Sequence, residues 1–198
     1  AWSVQRLHPQ AQVLTSISHG HWLVQQLQVQ RCEAGQHWQW DGVQFDVLHP
    51  LAADYAQLLT PNARSCVLRI SAHGQVVLLT ADIEAFQEQA LVARAREQLQ
   101  ADVLLVPHHG SKTSSTETFL EAVHPRWALF QMGYRNRYGH PAPQVLQRYI
   151  ERGIAFKLSP TCGAMTWRSE SPEAVVCERD QTRRYWRHVA VEEPLRLQ

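Results

Sequence analysis

Ala101-Asp102-Val103-Leu104-Leu105-Val106-Pro107-His108-His109-Gly110-Ser111-Lys112-Thr113-Ser114-Ser115 joins an apolar run to two histidines, a glycine, hydroxyls and a lysine. A short apolar run ending in such residues reads as a buried strand that delivers them to its carboxyl end. In α/β folds that edge is where ligands bind. Neutral imidazoles hold metals, and Gly110 lets the backbone approach a ligand closely. Lys112 can meet an anion. The stretch predicts both an α/β sheet and a site at one of its edges.

The flanking sequence supports that sheet. Residues 66–71 and 75–80 are apolar runs joined around His73-Gly74, a hairpin signal. Val43, Phe45 and Val47 alternate with polar partners, as in a half-buried strand. Residues 84–100 carry Phe86, Ala90, Leu91, Ala95 and Leu99 near helical spacing, with charges elsewhere, which predicts an amphipathic helix. Ser114-x-x-Glu117 reads as the capping box of a helix that begins near Ser115 and stops at Pro125. Residues 127–132 form the next predicted strand. Pro141 and Pro143 suit the first turn of a helix with Val145, Leu146, Tyr149 and Ile150 inside and Gly153 as its stop. Segments 154–158, 164–168 and 174–178 complete the predicted strands. Residues 1–30 are Gln-rich and weakly patterned, with Val13-Leu14 and Trp22-Leu23-Val24 as short strands or a frayed helix. Hairpins in the first half and alternating helices and strands in the second predict a sheet of mixed strand direction. Neither a repeat nor a linker interrupts residues 1–198, which read as a single domain.

The chain of 198 residues is 44% hydrophobic and 19% charged, an ordinary globular composition. Its formal net charge of +1 gives no global argument for nucleic-acid binding, so any anion affinity must be local. Residues 179–187 are locally basic, with Arg183, Arg184 and Arg187 around Tyr185 and Trp186; a packed or solvated tail is the plain reading, an anion-contacting patch the alternative. No apolar run reaches the length of about 18 residues that a membrane span needs, and no secretory signal pattern is visible. The four cysteines form no C-x-x-C pair, so a structural zinc site is not expected. Cys66 reads as a buried thiol. Cys162 and Cys177 flank a hairpin-like segment and could pair in an oxidising compartment.

Three chemically loaded loops follow three predicted strands. They are Thr80-Ala81-Asp82, then His108-His109-Gly110-Ser111, then Gly133-Tyr134-Arg135-Asn136-Arg137-Tyr138-Gly139-His140-Pro141. If the strands are neighbours, Asp82, one or both adjacent histidines, and His140 converge on one edge. A carboxylate with imidazoles suits zinc, manganese or iron, and such an ion lowers the pKa of bound water and polarises a phosphoryl oxygen. Arg135, Arg137 and Lys112 would hold an anionic substrate, since guanidinium grips phosphate with two hydrogen bonds. Each piece also has a plain structural reading. Asp82 could cap a helix starting at Ile83, the histidine pair could be structural, and His140 could shape a turn before Pro141.

Asn62-Ala63-Arg64-Ser65-Cys66-Val67-Leu68-Arg69-Ile70, Leu78-Leu79-Thr80-Ala81-Asp82, Val106-Pro107-His108-His109-Gly110-Ser111 and the 133–141 loop, in that order, resemble the metallo-β-lactamase-like domain of the ComEC family of DNA-uptake channels. Trp40-Asp41-Gly42-Val43 and Val47-Leu48-His49-Pro50 fit the same family, and the resemblance is strongest over residues 35–187. It implies an αββα hydrolase domain exposed on the outer, periplasmic or extracellular side of the cytoplasmic membrane. The implied activity is metal-dependent phosphodiester cleavage that degrades the DNA strand not imported. The implied partners are single-stranded DNA and the transmembrane channel part of the same parent protein. The implied cofactor is a divalent metal, manganese or zinc, with two ions in the complete domain and no small-molecule cofactor. By the family pattern Asp82 would bridge the metals, His108 would be a ligand with His109 as its alternate, and His140 and Ser111 would lie beside them. Lys112, Asn136 and Arg137 would contact phosphate.

Two departures stand out. The family's Thr-Gly-Asp is Thr80-Ala81-Asp82 here, and its N-terminal H-x-x-x-D-H-type box has no counterpart; His19-Gly20-His21 is the only N-terminal histidine cluster. A binuclear centre needs ions about 3.5–4 Å apart, held by more ligands than Asp82, His108 and His140 supply. The resemblance therefore implies a domain without its first quarter. The 198 residues alone are expected to show little or no activity and to leave an apolar sheet edge or face uncovered. A non-catalytic DNA-binding or channel-associated module of the same fold is the alternative, and a hydrolase of small esters or lactams a third reading.

Overall fold

Hairpin chemistry builds the first half of the main sheet. Asp41-Gly42 joins strand β3 (His37–Trp40) to β4 (Val43–His49), and His73-Gly74 joins β5 (Val67–Ala72) to β6 (Gln75–Leu79). In both turns the two central residues have positive φ, as a tight two-residue hairpin of type I′ requires. The computed structural model describes residues 2–17, 20–27 and 29–182. The second half is built by crossovers. Helix α3 (Ala85–Leu99) leads to β7 (Val103–Leu105), α4 (Glu117–Val123) to β8 (Trp127–Phe130), and α5 (Pro143–Glu151) to β9 (Ala155–Leu158). The seven strands lie in the order β3-β4-β5-β6-β7-β8-β9, antiparallel from β3 to β6 and parallel from β6 to β9. The mixed α/β sheet read from the sequence is present.

Register sorts the side chains. Leu78, Leu104, Ala128 and Phe156 pair across β6 to β9 and share one face. That face packs into the core with Leu91 and Leu99 of α3, Phe119, Leu120 and Val123 of α4, and Val145, Leu146 and Tyr149 of α5. Crossovers of one hand between successive parallel strands place their helices on one side. Leu68, Leu79, Leu105 and Leu129 pair in register on the opposite face, where they are half-buried and lie outside that core. Of the αββα arrangement that the resemblance implies, the described residues show this one seven-stranded sheet and one helical layer. The remaining strands are two pairs: parallel β1 (Val13–Thr15) with β2 (Val29–Arg31), and antiparallel β10 (Met165–Trp167) with β11 (Val175–Cys177). Four short α-helices accompany them: α1 (Trp2–Leu7), α2 (Trp22–Gln26), and α6 (Ser159–Cys162) beside α7 (Glu178–Gln181).

Several sequence expectations need correction. Phe86, which helical spacing places on the inner face of α3, is 74% exposed. The buried face instead runs through Gln87, Glu88, Leu91 and Leu99, so a carboxylate lies inside the core. Phe86 precedes Glu88 by two residues, more than half a helical turn, and points away from it. Helix α4 begins at Glu117 with Thr116 as its N-cap, whose side chain accepts a hydrogen bond from the Phe119 amide. Ser114 is no part of a capping box: its hydroxyl donates to the Pro107 and Ser111 carbonyls. Cys66 is not a free thiol but pairs with buried Cys32, and Cys162 pairs with Cys177. The basic cluster Arg183, Arg184 and Arg187, like His19, lies outside the described residues.

Candidate functional site

Parallel pairing of β6, β7 and β8 sets their carboxyl ends side by side, and the three loaded loops leave from those ends. The loops are bonded to one another. The His108 amide donates to the Ala81 carbonyl at 3.0 Å, and the Ala142 amide donates to the Gly110 carbonyl at 2.8 Å. Thr80, fully buried, donates its hydroxyl to the Leu105 carbonyl at 2.6 Å. His108, His109 and Gly110 all have positive φ, and so does Ala81. Such backbone concentrates where function over-determines it. At Ala81 the cost is direct, because φ of 47° crowds Cβ against the chain. Ala81→Gly is expected to raise stability by about 0.5–1 kcal/mol, the left-handed penalty removed less the entropy of the added glycine, read by urea unfolding.

His109 Nε2 lies 3.4 Å from Asp82 Oδ1, while its Nδ1 is 2.6 Å from the Gln131 carbonyl. A carbonyl only accepts, so Nδ1 carries a hydrogen and donates it, which leaves Nε2 turned toward the Asp82 carboxylate. A backbone carbonyl behind one ring nitrogen is also how metal-binding histidines are oriented. His108 is placed differently. Its Nε2 is 3.4 Å from Asn62 Nδ2, and its Nδ1 is 3.3 Å from Glu84 Oε1 yet out of line for a hydrogen bond, leaving that buried atom without one. The His108 ring lies 6.0 Å from that of His140 and 6.4 Å from that of His109, centroid to centroid. Burial, then the neighbouring imidazoles of His108 and His109, push the His140 pKa down, against the pull of the Asp82 carboxylate.

The structure thus brings Asp82, His108, His109 and His140 to one edge. Asp82 caps no helix, since the N-cap of α3 is Glu84; its own amide is held by the Ser65 hydroxyl at 3.2 Å. Ser111 is buried, with its hydroxyl 3.2 Å from that of Thr113, which in turn donates to Glu84. Asn136 spends both ends of its amide on the His140 backbone, at 2.7 and 3.0 Å, and so braces the loop. Lys112 is exposed beside the turn. Arg137 is also exposed and donates to the Tyr138 hydroxyl at 2.8 Å. Sequence reasoning missed Glu84 and Asn62, which flank His108; Glu84 lies two residues beyond Asp82 on the same edge, the one local signal for it. Carboxylates and imidazoles are the donor types that zinc or manganese takes. Even so, among the described residues no three His, Cys, Asp or Glu side chains are spaced to hold an ion. The residues present do not fit a two-ion centre on their own.

Behind the histidine turn sits a buried polar group. Glu88 is fully buried and accepts the amides of Ser115 and Thr116, the latter at 2.7 Å. Arg148 donates to the Ser114 and Ser115 carbonyls, and the Tyr149 hydroxyl lies 3.0 Å from that of Ser115. Burial drives the Tyr149 pKa far up and raises that of Glu88.

No family model matches the chain. It is 40% identical over 132 residues to "Competence protein ComA" of Neisseria gonorrhoeae, which covers 67% of this chain and 19% of that protein. It is 35% identical over 140 residues to "ComE operon protein 3" of Bacillus subtilis, covering 71% of this chain and 18% of that protein. The chain thus spans about a fifth of the length of these relatives. A Thermotoga maritima structure described as a Zn-dependent hydrolase of the metallo-β-lactamase superfamily shares 16% identity at a TM-score of 0.34, over 64% of this chain and 60% of that one. That likeness is loose, and the assignment rests on sequence identity. With the motifs seated as described on a mixed α/β sheet, the chain is a ComEC-like domain, related by sequence to the competence proteins over about two thirds of its length.

Proposed function

We propose that Asp82, His109, His108 and His140 form one wall of a metal-dependent phosphodiesterase site that cleaves DNA during uptake. The observation that carries this reading is the convergence of one carboxylate and three imidazoles at the carboxyl edge of β6, β7 and β8. The competence names of the relatives supply the DNA context. On this reading His109 rather than His108 joins Asp82 as the ligand pair, and the further ligands come from elsewhere in the full-length protein. Bound metal would supply an activated water and a polarised phosphoryl oxygen. The residues of this chain would orient it, with Arg137 and Lys112 holding phosphate. The substrate is the single strand that is not imported, and the transmembrane channel of the same parent protein is the partner. Two disulfides support a place on the oxidising, outer side of the membrane. Among the described residues no helix is long and apolar enough to cross a membrane.

The test is manganese- or zinc-dependent cleavage of single-stranded DNA by the full-length protein. Asp82→Ala is expected to lower the rate tenfold or more, and full activity in that variant overturns the proposal. A wild-type protein that binds DNA in a salt-sensitive way but never cleaves it would instead mark a non-catalytic module.

A further inference from the structure

The loop between β8 and α5 carries more than His140. Tyr134 is 54% exposed and Tyr138 67% exposed, and neither belongs to the hydrophobic core. Each ring has a guanidinium over it: Arg135 at 5.3 Å from the Tyr134 centroid, Arg137 at 5.0 Å from that of Tyr138. Tyr138 also stacks on His140, with centroids 5.9 Å apart and ring planes 17° from parallel. Asn136 clamps the loop to the His140 backbone from within. Two exposed rings therefore lie on the loop that carries His140, each beside a cation, and Tyr138 is held against His140 itself.

An aromatic face next to a guanidinium is what an unpaired nucleotide meets when its base stacks and its phosphate is neutralised. A base inside a duplex offers no free face, because its neighbours already cover both. We infer that Tyr138, with Tyr134, forms a stacking platform that seats an unpaired base beside His140 and thereby sets a preference for single over double strands. This rests on the reading of the site as one that handles DNA. It adds the residues that discriminate strandedness, which the hydrolytic wall does not supply: imidazoles, carboxylates and phosphate-holding cations are indifferent to whether a base is paired.

The test measures binding, with metal chelated so that cleavage plays no part. Full-length protein is titrated onto a labelled short oligothymidylate, an abasic strand of equal length, and a duplex. Tyr138→Ala is expected to weaken the oligothymidylate about tenfold while the abasic strand and the duplex change little. Tyr138→Phe keeps the wild-type affinity, since stacking needs the ring and not the hydroxyl. Tyr134→Ala repeats the pattern of Tyr138→Ala. Equal weakening of all three ligands by both alanine variants, or a Tyr138→Phe protein as weak as Tyr138→Ala, overturns the platform. So does wild-type protein that prefers none of the three, which would leave the loop as a surface for another protein. A protein that shows the base-dependent pattern yet never cleaves DNA refutes the hydrolytic reading and leaves the platform standing.

Discussion

Gly110→Ala is expected to destabilise the fold by about 3 kcal/mol and to pull the site apart. A Cβ at this position would stand 2.8 Å from Pro141 Cβ and 2.9 Å from Phe130 Cε1, distances that packed carbons do not tolerate. Neither neighbour can swing away: Phe130 is fully buried and Pro141 is a rigid ring. Overpacking of this kind costs about 1–3 kcal/mol, and φ of +79° adds about 1–2 kcal/mol for any residue with a Cβ. For a domain of this size that is a fall in Tm of about 6–12 °C, read by thermal unfolding. The contact relieves itself only by parting the His108-His109 turn from the loop that carries His140, breaking the bond from the Ala142 amide to the Gly110 carbonyl. On the hydrolytic reading proposed above, DNA cleavage by the full-length variant should therefore fall further than its stability loss explains. A variant with wild-type Tm would show that the turn is looser than described.

Glu88→Ala is expected to cost about 3 kcal/mol, seen as a lowered urea midpoint. The substitution leaves the Ser115 and Thr116 amides without their acceptor in a buried place, and unsatisfied buried donors cost about 1–3 kcal/mol each. It also strands Arg148 without its carboxylate neighbour. Glu88→Gln keeps the volume and one acceptor, so it should lose less. The pH dependence of that variant is informative. Burial outweighs the hydrogen bonds from Thr116 and Ser115 and holds the Glu88 carboxyl above its ordinary value of 4.5. The folded chain therefore takes up a proton more readily than the unfolded one. The stability this confers is fully present below the unfolded value and is lost as pH rises through the folded value. Glutamine does not titrate, so the advantage of wild type over Glu88→Gln should widen on acidification from about pH 7 to about pH 5. An advantage that shrinks would mean the hydrogen bonds win.

What was legible in the sequence was local. His73-Gly74 marks its hairpin because only certain residues accept positive φ at both turn positions. The three loops could be placed on one edge because each follows an apolar run in an alternating pattern. Glu88 was illegible because its partners, the amides of Ser115 and Thr116, lie 27 and 28 residues away. Helical periodicity reads a carboxylate as the outer face, and it is that habit which put Phe86 inside. The Cys32–Cys66 pair joins residues 34 apart, and spacing carries no information about such a pairing. At the site the residue types were visible but not their directions. Sequence could not orient His108 and His109, and the geometry turns His109 toward Asp82 while His108 faces Glu84 and Asn62.

The main sheet has the same order in space as in the chain, from β3 at one edge to β9 at the other. Each new strand is laid against the one made just before it. Such a sheet can be assembled vectorially: a polypeptide threaded from its N-terminal end can pair every segment as it emerges, without waiting for a later one to fill a gap. A parallel sheet with a central strand supplied last would have to stand open until the end of the chain emerged. Sequential order spares an emerging chain that exposure.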